Sequence, residues 1–410
     1  MKYTPIALIF LVLLNSACAP KRNQVTLKRA PYLQSVIADS ATVLWRTDRP
    51  MPTGLEIRKK GETDWFYVHG SNKKTNTGLI EHEAVIHNLA SGGVYEYRLM
   101  QGDRPAWDKK TYSFPAAKYQ GEDRFTFFAA GDIGEPVANG GTPDQMGKTL
   151  AQRISDFDFG LLLGDIIYPD GKSEVYDSQL FDYFTGVFPY VPIFPVLGNH
   201  DWHEPEKNYM QEWKLPHNEH YYSFDYGNTH FVALDTEMGG MYDIENQLAW
   251  LKEDLEKHKN APWLIVYLHH NGHSCTYKKD YEGVVKLYPI FAEYGVDLVL
   301  NGHAHTYERL NPMDGKGQLI AGYNGPTDSY QNPKGFVAIT AGSGGKLRGV
   351  GSDPKPYSPD PENCRYPGLT AKAIHDWVYL QISINGNTLE GKAFTTHGNT
   401  EVDWFTVVKD

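Results

Sequence analysis

Phe125-Thr126-Phe127-Phe128-Ala129-Ala130-Gly131-Asp132-Ile133-Gly134 is the stretch on which the reading of the fold turns. An apolar, strand-like run stops abruptly at glycine and a carboxylate. The same change occurs four more times: Gly160-Leu161-Leu162-Leu163 leads into Gly164-Asp165-Ile166-Ile167-Tyr168, and Ile193 to Leu197 leads into Gly198-Asn199-His200-Asp201. Leu264 to Leu268 then leads into His269-His270, and Asp297 to Leu300 into Asn301-Gly302-His303-Ala304-His305. In open α/β sheets, ligands bind just beyond the carboxyl ends of the strands. Five strands of one sheet region would therefore aim Asp132, Asp165, Tyr168, Asn199, His269, His303 and His305 at a common point. The glycines allow the sharp turn and a close approach of backbone to whatever is bound.

Outward from these blocks, strand-like runs alternate with helix-length segments from Phe125 to about Ser343, the pattern of an α/β architecture. The clearest helix is Asp243 to Lys259, with Ile244, Leu248, Leu251 and Leu255 on one face and Asp243 as its N-cap. A second is expected over Val284 to Tyr294, kinked or starting late at Tyr288-Pro289. Upstream, segments 42–46, 54–58, 83–87 and 95–99 read as half-buried strands spaced by turn residues, as in a β-sandwich. Residues 349–368 are dense in Pro, Ser and Asp and read as a surface excursion. The chain closes with a hairpin around Asn385-Gly386-Asn387. The expected division is a signal segment over 1–17, a β-sandwich over 25–118 and a catalytic α/β domain of two sheets flanked by helices over 123–410.

The 410 residues carry 39 Lys and Arg against 50 Asp and Glu, a net charge of −11. Such a chain, without basic clusters, is a poor nucleic-acid binder. Three cysteines exclude a disulfide scaffold and a Cys-type zinc module. The N-terminus, Met-Lys followed by an apolar run from Ile6 to Leu14 and the small residues Ser16 and Ala17, reads as an export signal. Its end resembles the lipobox of bacterial lipoproteins, with Cys18 as the lipid-bearing first residue of the mature chain. Asn15 departs from that pattern, and an ordinary cleaved signal is the other reading. Export to the periplasm or the outer-membrane or cell surface follows from either. Cys275 and Cys364 would pair in an oxidising compartment or stand as two free thiols; sequence separation does not decide between them.

The ligand types define the chemistry. Imidazole, carboxylate and amide oxygen without thiolate suit Zn, Fe or Mn. Seven donors exceed the needs of one ion, whereas two ions sharing a bridging carboxylate use them all. A pair held about 3.5–4 Å apart clamps the attacking and leaving oxygens of an in-line displacement at phosphorus. Tyr168 would bind as phenolate, and a highly charged ion such as Fe(III) is suited to removing a phenol proton of pKa about 10.

As an ordered set, the blocks GDIG (131–134), GDIIY (164–168), GNHD (198–201), VYLH (266–269) and GHAH (302–305) resemble the five-block signature of the purple acid phosphatases, within the calcineurin-like metallophosphoesterases. Arg29-Ala30-Pro31-Tyr32-Leu33-Gln34, followed by Ala41 to Asp48, is similar to the fibronectin type III-like domain in front of the longer members. The resemblance implies an acid phosphatase acting on small phosphate monoesters by direct attack of metal-bound hydroxide. It implies Fe(III) on Asp132, Tyr168 and His305, a second ion (Zn, Mn or Fe(II)) on Asn199, His269 and His303, and Asp165 bridging.

His200 matches the histidine that contacts the phosphate and protonates the leaving group. Asp201 stands where many members have Glu and is expected to orient the His200 imidazole. Further substrate-facing histidines usually follow His269 by about ten residues, where this chain has Lys278-Lys279. His270 and His273 are the expected substitutes, or one of the lysines meets the phosphate. His203, His217 and His220 read as surface residues. Without Tyr168 as a ligand the same blocks describe a colourless metallophosphodiesterase. A surface binding module with a structural metal centre would have no use for His200. Oligomeric state is not legible.

Overall fold

The computed structural model describes residues 25–102, 104–106, 110–119, 121–205, 207–237, 244–357 and 366–410. The signal segment with Cys18, the N-cap position Asp243, and Cys364 lie outside them. No helix among the described residues is long and apolar enough to cross a membrane.

The described residues of 27–115 form β-strands and their connections only. Leu27–Ile37, Ser40–Thr47, Ile80–Ile86 and Ser71–Lys74 form one antiparallel sheet, and Phe66–His69, Thr53–Lys59, Val94–Gln101, Arg104–Pro105 and Tyr112–Pro115 form the other. Their inner faces bury Leu33, Val43, Trp45, Leu55, Tyr97 and Phe114 in a core continuous with that of the following domain. The junction is polar as well. Arg29 and Arg46 are fully buried and both pair with Glu212 of the second domain, at 2.6 and 2.8 Å. Glu212 is thus held by two cations, and only removing both arginines would leave its buried carboxylate unpaired.

The second domain has two seven-stranded sheets. In the first, Ile193–Pro195, Phe159–Leu162 and Arg124–Ala130 run parallel, and the C-terminal strands Val378–Asn385, Thr388–Thr395 and Glu401–Val408 extend it antiparallel. In the second, Thr229–Ala233, Trp263–Tyr267, Leu298–Asn301 and Val337–Ala341 run parallel. Aromatic side chains fill the space between them: Phe127 and Phe159 of the first sheet meet Phe231 of the second edge-on at 5.4 Å, and Phe194 stacks on Phe224 at 4.1 Å. The expectation of one sheet region is thereby corrected. Three block strands belong to the first sheet and two to the second, so the site lies where the carboxyl ends of two packed sheets converge.

The long helix is Ile244–His258. Leu251 and Leu255 are buried in a cluster that also holds Val266 and Val299 of the second sheet, whereas Ile244 is exposed. The segment expected as one helix, kinked or starting late, is two, Glu282–Val285 and Tyr288–Tyr294, and the second starts at Tyr288-Pro289 because proline is tolerated only in a first turn. The terminal hairpin turns at Gly386 as expected, but its strands occupy the middle of the first sheet.

Candidate metal centre

Three of the seven expected ligands sit in left-handed backbone: Asp132 at φ 57°, Asp165 at 50° and His303 at 68°. A residue with a Cβ pays about 1–3 kcal/mol for that conformation and keeps it only where the surroundings impose it. Here the loops impose it on one another. The Asp132 amide donates to Gly164 O (2.9 Å), the Ile133 amide to Asp165 O (3.1 Å), the Gly302 amide to His269 O (2.9 Å) and the Gly345 amide to Asp132 O (3.1 Å). Only Gly164 of the block glycines makes a left-handed turn itself (φ 78°). Gly198 is needed for approach: a Cβ there would lie 2.1 Å from Asp165 N.

The side chains converge in two overlapping groups. Asp132, Asp165 and His305 place one ligand atom each within 4.8 Å of the others, as do Asp165, His269 and His303, so Asp165 belongs to both. The Tyr168 hydroxyl lies 2.7 Å from Asp132 Oδ1, 2.9 Å from Asp165 Oδ2 and 3.3 Å from His305 Nε2. His269 Nε2 approaches Asp165 Oδ1 at 3.3 Å. The residues fit a bound ion pair. His269 Nε2 and Asn199 Oδ1 are buried polar atoms without a hydrogen-bond partner, which is costly unless something else meets them. Burial, then the Asp132 and Asp165 carboxylates, push the Tyr168 phenol well above its usual range, so a strongly charged ion is needed to remove its proton. Burial opposes charge on His269, yet Asp165 and Asp132 raise it to about 9.

Outer contacts aim the ligands. His269 Nδ1 donates to Leu163 O (2.8 Å), and His305 Nδ1 meets Asp353 Oδ2 at 2.7 Å, which turns each Nε2 inward. The His303 and His200 amides donate to Asp132 Oδ2 and Asp165 Oδ1, both at 2.8 Å. The His200 ring lies against Tyr168, centroids 4.4 Å apart, with Nδ1 on Pro169 O and Nε2 3.9 Å from Asp165 Oδ2. Its side chain is one-third exposed, at 33%.

Asp201 does not orient His200. Its carboxylate is buried and accepts the amides of Ile166 (3.0 Å), Ile167 (3.1 Å) and Gly198 (3.0 Å), clamping the Asp165 loop to the Asn199 loop. His270 lies beside the centre, 4.5 Å from the His303 ring and stacked on Tyr281, and burial lowers it to about 3. His273 is turned elsewhere, toward Asp280 (2.6 Å) and the Tyr366 ring. Lys278 reaches the centre, its Nζ 3.2 Å from His303 Nε2. His220, expected at the surface, is buried on Asp235 at 2.9 Å.

Sequence reasoning missed Asp353 and Lys346. The Lys346 ammonium is almost buried, 3.6 Å from the Tyr168 ring centroid and 2.9 Å from Glu135. Its signal was present: Val337–Ala341 also runs into glycines, Gly342-Ser343-Gly344-Gly345, immediately before Lys346. Cys275 is disulfide-bonded.

The calcineurin-like phosphoesterase family model matches residues 125–307, a span that contains all seven expected ligands. The chain is 29% identical to purple acid phosphatase 18 of Arabidopsis thaliana over 78% of its own length and 71% of the relative's. It is 32% identical to purple acid phosphatase 21 of the same plant over 69% and 62%. To acid phosphatase type 7 of Mus musculus it is 28% identical over 86% and 85%. Among solved structures, a purple acid phosphatase from yellow lupin (Lupinus luteus) seeds superposes with TM-score 0.75 at 19% identity, covering 93% of this chain and 75% of that one. GAP50 of Plasmodium, described as the anchor in the inner membrane complex, shares the fold over 70% and 92% with TM-score 0.52 at 18% identity. The converging carboxylates, imidazoles and phenol, together with these relatives, place the chain in the purple acid phosphatase family of calcineurin-like phosphoesterases, as a phosphoesterase hydrolase.

Proposed function

We propose that the protein is an acid phosphatase that hydrolyses small phosphate monoesters at a dinuclear centre of Fe(III) and a divalent ion, Zn, Mn or Fe(II). One observation carries the reading: the Tyr168 hydroxyl is held 2.7 Å from Asp132 Oδ1, 2.9 Å from Asp165 Oδ2 and 3.3 Å from His305 Nε2, so the phenol oxygen shares the point at which these candidate ligand atoms meet. Tyr168, Asp132 and His305 would hold the ferric ion, Asn199, His269 and His303 the divalent one, and Asp165 both. When bound, such a pair supplies positive charge for a phosphate and an acidified water.

The chain's own groups do the rest. His200 keeps Nδ1 on Pro169 O, so Nε2 is the end that carries a proton to the departing alkoxide. Lys278 extends positive charge to the His303 side, in the role expected of the missing histidines, and His270 is a wall of the site. Asp201 acts by positioning two ligand loops, and His273 has no part in the reaction. We further infer an exported protein, tethered to a membrane through lipidated Cys18, with no nucleic-acid partner.

The test is optical and chemical together. The iron-loaded protein is expected to show a visible phenolate-to-Fe(III) band that vanishes in Tyr168→Phe, and to hydrolyse an aryl phosphate monoester faster than the bis-aryl diester. A colourless iron-loaded protein that prefers the diester would assign it to the colourless metallophosphodiesterases instead.

A further inference from the structure

A second group of metal-ligand side chains lies on the hairpin Tyr222–Tyr226 and Thr229–Ala233, with none of the centre's residues in it. The antiparallel register sets Asp225 directly opposite His230, and helix Ile244–His258 ends beside them with His258. One ligand atom from each of Asp225, His230 and His258 lies within 4.8 Å of the others.

The hydrogen bonds around this trio have a particular form. His230 Nε2 lies 2.8 Å from Asp254 Oδ2, and His258 Nδ1 donates to the Asp254 backbone carbonyl at 2.7 Å. Asp254 is itself fixed by the Ser223 hydroxyl at 2.9 Å. Each imidazole therefore has one nitrogen committed to an oxygen of the same residue. Metal-ligating histidines characteristically hand their second N–H to a carboxylate or a backbone carbonyl in this way. The other nitrogen of His230, Nδ1, already faces Asp225 Oδ1 at 2.7 Å. The two rings are parallel within 9° and 3.6 Å apart, so closing on one ion takes a splay of His258, whose side chain is 31% exposed.

We propose that Asp225, His230 and His258 form a separate divalent-metal site. Two imidazoles and one carboxylate suit Zn(II), with a fourth position for water. The ion would take the place of the His230 Nδ1 proton. It would tie the end of the helix to the hairpin, at a cavity of about 680 Å³ whose other walls include Ile37 and Ala38 of the β-sandwich and Tyr119 of the connection. All three ligands belong to the second domain, so the ion would act as a clasp between the helix end and the hairpin.

The experiment uses the full chain purified with its own metals, titrated with Zn(II) and counted by elemental analysis, then with Co(II) read by visible absorption. The wild type is expected to take up one equivalent beyond the dinuclear centre and to give the intense d–d bands of four-coordinate Co(II). His258→Gln and Asp225→Asn, both at accessible positions, are expected to lose that equivalent and those bands while hydrolysing aryl phosphate at the wild-type rate. The proposal is overturned if the wild type takes up no further ion, or if both variants bind it as the wild type does. Because metal uptake is the readout, the result stands apart from whether the main centre hydrolyses phosphate.

Discussion

Asp201→Asn separates two roles that the sequence cannot distinguish. In the folded chain Oδ1 accepts the amides of Ile166 and Ile167, and Oδ2 those of Ile166 and Gly198. Whichever oxygen becomes an NH2 group, either the Ile167 or the Gly198 amide then faces a donor. A buried amide left without an acceptor costs about 1–3 kcal/mol, and the surviving bonds lose their charge assistance, about 1 kcal/mol more. The expected loss is therefore roughly 2–4 kcal/mol, borne by the two loops that carry Asp165, Tyr168 and Asn199. Burial and the Asp165 charge raise Asp201 to about 7, so the comparison belongs at about pH 8, where the carboxylate is ionised. The assay is thermal unfolding of the metal-free chain alongside metal content of the protein as purified. A lower unfolding temperature and fewer bound ions are expected. Unchanged stability and metal content, with only the pH profile of turnover displaced, would mean that Asp201 acts on His200 and that the clamp is unimportant.

Other perturbations test neighbouring parts of the account. Lys346→Met strands the buried Glu135 carboxylate and should cost about 3–5 kcal/mol, much of it recovered in the double variant with Glu135→Gln; a double-mutant cycle by denaturant unfolding checks this. Asp353→Asn loosens the His305 imidazole and should weaken metal retention against a chelator about 10–100-fold. In the sandwich, His82 is buried against Trp45 between Thr47 and Thr53, and burial lowers its pKa to about 4. Since the unfolded chain takes up that proton near pH 6.5 and the folded one resists it, stability falls as pH drops from about 6.5 toward 4, by at most about 3 kcal/mol. His82→Gln should flatten that part of the stability-pH curve.

The five blocks were legible because each packs strand, turn and ligand into ten or fewer consecutive residues. Their division between two sheets was not, because strand pairing is a long-range choice: Arg124–Ala130 takes Val378–Asn385 as its antiparallel neighbour from the far end of the chain. Asp353 was hidden for a similar reason. Its Pro- and Ser-rich surroundings read as a surface excursion, and only the folded chain returns it to His305. His220 is flanked by polar residues and looks solvated, yet the strand that ends before Asp235 supplies its partner. Asp201 misled through adjacency, since neighbours in a tight turn point apart.

The proposed activity rests on Asp132, Asp165, Tyr168, Asn199, His269, His303 and His305 holding two ions that drive phosphate ester hydrolysis. Its most direct test is the rate of aryl phosphate hydrolysis in wild type and in Asp165→Asn, each with metal content counted per chain. Two ions at this centre and turnover in the wild type, with both ions and turnover lost when the shared carboxylate is removed, is the predicted result. Turnover that survives in Asp165→Asn, or a metal-replete wild type that hydrolyses nothing, would contradict it.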